Sequence, residues 1–75
     1  MYQLDSWDDK QRKYVIVIET SSYCKVFDAF ASLCKKEEKS EKAQAVRMLI
    51  KEPKEVIYFW TNRPNEFNYD WMLRQ

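Results

Sequence analysis

The chain has no glycine and no histidine in 75 residues, and only two prolines and two cysteines. Without glycine, the primed two-residue hairpin turns and glycine helix caps are unavailable, so turns fall to Asn, Asp, Ser and Pro and should run to three residues or more. The same absence excludes a P-loop, whose backbone must wrap closely around phosphate. Without histidine the usual general base is missing, and Cys24 and Cys34 alone do not complete a zinc site. Placed on one helix, the two thiols lie about 15 Å apart, too far for a disulfide. They read as reduced, buried apolar residues, which implies a reducing compartment. The chain shows no secretory signal pattern and no apolar run of membrane-spanning length, so a soluble cytoplasmic protein without membrane contact is expected. Formal net charge is +1 with the signs interspersed, which provides no global field to draw in nucleic acid or an anionic membrane.

Aromatics are abundant at 16% of residues, and 45% of residues are hydrophobic, well inside the globular range. A chain of this size forms one domain, residues 1–75. No apolar run is longer than Tyr14-Val15-Ile16-Val17-Ile18. Met1–Trp7 alternates loosely, as an edge strand does, and the polar turn Asp8–Gln11 leads into a strand over Arg12–Thr20, giving a first hairpin. Thr20-Ser21-Ser22 supplies capping oxygens for a helix. Val26, Phe27, Phe30, Leu33 and Cys34 then form an amphipathic stripe. Lys35–Lys42 reads KKEEKSEK, without an apolar side chain. A single helix over Ser22–Glu52 would be about 46 Å long, out of scale for this chain. The expectation is therefore a turn near Ser40 and a second helix with Ala43, Val46, Leu49 and Ile50 on its inner face, stopped by Pro53. Glu55–Thr61 has the β-branched and aromatic content of a strand. Thr61–Asn65 is a turn, and Phe67, Tyr69, Trp71 and Leu73 alternate with polar positions as a fourth strand, a helical turn being the alternative. The predicted architecture is α+β, a two-layer ββααββ arrangement: a four-stranded antiparallel sheet in sequence order with a helix pair on one face.

Little chemistry emerges from these residues. The carboxylates Asp5, Asp8, Asp9 and Glu19 near the first hairpin could in principle hold a divalent ion, but Asp8-Asp9 reads better as a solvated turn and Glu19 as a strand-end residue facing water. Hydroxyls and Lys25 at the start of the first helix suit capping better than phosphate binding. No cofactor is implied and no enzyme is expected. Lys10, Arg12 and Lys13, with Lys51, Lys54 and Arg63, border an aromatic sheet in the way single-stranded nucleic-acid binders do, but Asp8, Asp9, Glu52 and Glu55 are interleaved with them. The stronger signal is parity. The strands at Tyr14–Glu19 and Glu55–Thr61 are apolar on both sides, whereas a strand covered on one face alternates. With Tyr14, Ile16, Ile18, Val56, Tyr58 and Trp60 turned to the helices, Val15, Val17, Ile57 and Phe59 form a patch on the uncovered face, extended by Trp7 and Met72. Such a patch marks an interface with a protein partner or a second copy of the chain. A small, aromatic-rich, glycine-free chain of this kind suits an accessory or inhibitor protein of a phage or mobile element. The alternative function is single-stranded nucleic-acid binding on the same face.

Overall fold

The structure is a computed structural model that describes residues 1–66. The elements run β1 (Tyr2–Asp8), β2 (Lys13–Thr20), α1 (Tyr23–Glu37), β3 (Ala45–Ile50) and β4 (Glu55–Thr61). All neighbouring strands pair antiparallel, in the order β2-β1-β3-β4. The α+β class and the four-stranded antiparallel sheet hold, but among the described residues one helix packs on that sheet rather than two.

The helix begins where capping chemistry dictates. Ser22 is the N-cap, its Oγ accepting from the Lys25 amide at 3.3 Å. Val26 is fully buried, and Ala29, Phe30, Leu33 and Cys34 complete a stripe against the sheet. The helix ends at Glu37, inside the charged run, and a turn follows at Ser40. Helix-forming residues then resume, yet Ala45–Ile50 is a strand. Ala, Arg, Met and Leu favour helix only weakly, by tenths of a kcal/mol. Pairing on both sides, with β1 and with β4, outweighs that preference. A short apolar run buried on both faces satisfies helix spacing and strand length alike, so its periodicity does not discriminate.

That substitution reorders the sheet. Because α1 carries the chain from β2 across β1 to β3, β1 becomes a central strand rather than an edge, and β2 takes the edge. The strand expected over Phe67–Leu73, with Met72, lies outside the described residues.

The hydrophobic core has two sides. On the helix side Leu4, Val26, Val46 and Met48 are completely buried, with Tyr2, Ile18, Ile57 and Trp60 packed around them. Each such side chain contributes on the order of 1.5–3 kcal/mol of burial. The opposite side is not the uncovered face that two layers would leave: Gln3, Asp5, Trp7, Arg47 and Leu49 are all buried. Trp7, Tyr14 and Ala45 cluster there with Ala43 and Phe59. Asp5 and Arg47, both nearly inaccessible, form an ion pair of 2.8 Å, and Gln3 donates to the other carboxylate oxygen at 2.7 Å. The Arg47 guanidinium also lies 3.9 Å from the centre of the Tyr14 ring.

Both edge strands carry a register slip. Leu4 faces Ile18 while Asp5 faces Ile16, so Val17 is the extra residue of β2. Met48 faces Tyr58 while Leu49 faces Val56, so Ile57 is the extra residue of β4. A bulge inverts side-chain parity beyond it. Tyr14 and Ile16 therefore share the side of Trp7 and Asp5, not the helix side, whereas Ile18 packs with the helix cluster. In β4, Tyr58 and Trp60 do meet the helix side, Val56 opposes Leu49, and Ile57 packs toward the helix.

Candidate functional site

The residues expected to form one patch are divided by the fold. Among the described residues β2 and β4 are opposite edges of the sheet with β1 and β3 between them, about 14 Å apart at the usual strand spacing. Val15 and Val17 are exposed neighbours on β2. Ile57 is half-buried against the helix-side cluster, and Phe59 is half-buried against Trp7 and Tyr14 on the other side. Trp7 is buried, in edge-to-face contact with Tyr14 at 5.2 Å between ring centres. Met72 lies outside the described residues. Only Val15 and Val17 are brought together as accessible surface, and the residue that joins them is Ile16, which parity had turned inward.

Val15, Ile16 and Val17 are 38%, 51% and 46% exposed, the middle one most of all. No described strand lies beyond them, so they occupy the middle of a sheet edge. Charge sits only at the ends of the apolar stretch, with Lys13 before it and Glu19 after it. Glu19 accepts from Lys51 Nζ at 2.6 Å, a contact that raises the Lys51 pKa above its usual value. Val15 and Val17 also border a groove of about 340 Å³ that includes Ser6, Lys42 and Gln44.

The hairpin beside the groove is closed by side-chain hydrogen bonds rather than by glycine. Asp8 Oδ1 accepts from the amides of Lys10 and Gln11, and Asp8 Oδ2 accepts from the Gln11 side chain at 2.8 Å. The Gln11 side chain, followed by those amides, holds the Asp8 carboxyl below its usual pKa. Arg12 takes the left-handed conformation, φ 55°, that glycine would otherwise fill. Its guanidinium pairs with Asp9 at 2.7 Å and lies 5.7 Å from the Trp7 ring centre.

A second accessible apolar surface was not legible in the sequence. Tyr23, Phe27 and Tyr58 are each about two-fifths exposed. Tyr23 stacks on Phe27 at 6.0 Å and meets Tyr2 edge-on at 5.5 Å, while Phe27 meets Tyr58 edge-on at 5.8 Å. The Tyr23 hydroxyl lies 3.5 Å from that of Tyr58, and this contact, with some desolvation, raises the Tyr23 pKa. The i,i+4 spacing of Tyr23 and Phe27 was a local signal, but their meeting with Tyr58 depends on how α1 lies over β4.

No group of three or more Cys, Asp or Glu among the described residues is placed to hold a metal ion. The acidic residues near the first hairpin are instead engaged singly: Asp5 with Arg47, Asp9 with Arg12, Glu19 with Lys51. Among the described residues no helix is long and apolar enough to cross a membrane. Cys24 is exposed, contrary to its expected burial, because two residues before Val26 it points to the opposite face of the helix, whereas Cys34 is partly buried. What the geometry defines is a small α+β domain with an apolar sheet edge. Comparison with models of protein families, with curated proteins and with solved structures finds no match to the chain.

Proposed function

We propose that this chain is a non-enzymatic protein-interaction module that docks through its β2 edge. The observation that carries the reading is three consecutive exposed apolar residues, Val15, Ile16 and Val17, in the middle of an edge strand. Soluble proteins usually blunt such an edge with a charge or proline at its centre, because its unpaired amides and carbonyls template another strand. Here the bulge at Val17 is a partial guard, but the charges stand at the ends and leave the centre apolar. An extended segment of a protein partner would add to the sheet through backbone hydrogen bonds, with the groove beside Val15 and Val17 taking one of its side chains. Nucleic-acid binding draws less support: Trp7 and Tyr14, the rings nearest the basic hairpin, are buried, and Arg12 and Lys51 are engaged by carboxylates.

The test compares capture by wild type with capture by Val17→Lys from an extract of the native cell treated with nuclease. A protein retained in strong salt by wild type and lost with Val17→Lys supports docking at β2, since apolar and backbone contacts withstand salt that dissociates phosphate contacts. Retention that survives Val17→Lys unchanged, or that vanishes with nuclease or salt, removes the reading.

A further inference from the structure

We infer that the partner strand received by the β2 edge carries an aspartate or glutamate, set two residues from an apolar side chain that covers Val15 and Val17. This rests on the proposed docking role of the edge and names the chemistry of its partner. The carboxylates along the edge already have their donors. At the far end Glu19 is held by Lys51 at 2.6 Å. At the hairpin end Asp8 accepts through both oxygens, from the amides of Lys10 and Gln11 and from the Gln11 side chain. Asp9 pairs with Arg12 at 2.7 Å. The cations at the hairpin end are not matched in this way. Lys10, Lys13 and Lys42 are exposed, and among the described residues none of them takes part in an ion pair.

Two of these lysines line the groove, Lys10 from the hairpin and Lys42 from the loop after α1. Hydrogen bonds fix the backbone from which each side chain starts. The Lys10 amide donates to Asp8 at 2.9 Å. The Lys42 amide donates to Ser40 Oγ at 3.2 Å, and its carbonyl accepts from Asn62 at 2.9 Å. Anchored ammonium groups beside exposed valines suit a carboxylate next to an apolar group, and such complementarity selects among partners. An added strand presents that combination. Val15 stands opposite Ser6 and borders the groove with Val17, while Ile16 opposes Asp5 on the other side of the sheet. Side chains two apart on a strand share one side, about 7 Å from each other. A partner residue over the valines therefore has its next same-side neighbour toward Lys13, the end at which Lys10 lies. The residue between them meets Ile16, which is half exposed, and is apolar as well. The recognised stretch is two apolar residues followed, toward that end, by an acid.

Panning a display library of short random peptides on the purified chain in low salt should enrich this pattern. The enriched peptides, made synthetically and titrated by fluorescence anisotropy, should lose binding to Val17→Lys. They should bind the double variant Lys10→Gln with Lys42→Gln about fivefold more weakly. That difference should shrink in strong salt, which screens exposed charges and spares apolar contacts. Both lysines are exposed and keep their backbone hydrogen bonds in the glutamine variant; Val15→Lys replaces Val17→Lys if the latter does not fold. Enriched peptides without the acid, or acidic peptides that bind the double variant as tightly as wild type, overturn the inference. If those peptides are still lost with Val17→Lys, the docking edge stands without it. Peptides indifferent to both valine substitutions remove the edge and the inference together. A chain that enriches no peptide but sediments as a dimer sensitive to Val17→Lys has a second copy at the edge, which overturns the acidic partner alone.

Discussion

Asp5 and Arg47 come from strands 42 residues apart in the chain and meet in a place with almost no access to water. Replacing Asp5 with alanine removes the carboxylate that accepts from the Arg47 guanidinium at 2.8 Å and from Gln3 at 2.7 Å. Breaking a buried pair from one side costs about 3–5 kcal/mol, because the remaining charge keeps its desolvation penalty and loses its attraction. A domain of this length has a total stability of roughly 4–11 kcal/mol. Asp5→Ala should therefore lower the denaturation midpoint in urea by about a quarter or more, followed by far-ultraviolet circular dichroism. Removing both charges, as in Asp5→Leu with Arg47→Met, should recover much of the loss, because an apolar pair of similar volume avoids desolvation altogether. The Tyr14 ring already provides an apolar surface at that point. A loss below about 1 kcal/mol for Asp5→Ala would place the pair in the range of surface bridges. That result would refute the claim that this side of the sheet is closed to water.

The two thiols should separate on alkylation of the native chain: Cys24 reacts quickly and Cys34 slowly, since burial pushes the Cys34 thiol up to about 11. The fold favours the neutral Cys34 thiol, so its contribution to stability is present below the ordinary value near 9 and is lost as pH rises through about 11; equal alkylation rates for the two residues would contradict this. Asn62 clamps the turn after α1, its Nδ2 donating to the carbonyls of Glu37, Ser40 and Lys42 and its Oδ1 accepting from the Gln44 amide. Asn62→Ala should cost about 2 kcal/mol in a half-exposed site and speed amide exchange at Gln44, and unchanged exchange there would show that the clamp is dispensable.

Local chemistry was enough to place several elements. Ser22 caps the helix because a short hydroxyl side chain can reach back to a free amide, and that competition is settled within three residues. The helix stops in the KKEEKSEK run because no apolar face remains to bury, and Glu55–Thr61 is a strand because β-branched and aromatic side chains fill it. Val15 and Val17 were legible as surplus apolar surface on β2 for the same local reason. Ile16 was not, because its side depends on the slip at Val17, and a bulge exists only relative to a partner strand. The assignment of Ala45–Ile50 to a strand, the central place of β1 and the burial of Asp5, Gln3 and Arg47 were likewise decided by tertiary structure. Spacings of three and four suit a helix as well as a doubly buried strand, and polar residues in an alternating pattern signal solvent until a distant partner is found. Asp5 can enter the core only because the fold brings Arg47 to it, and no window of neighbouring residues contains that pair.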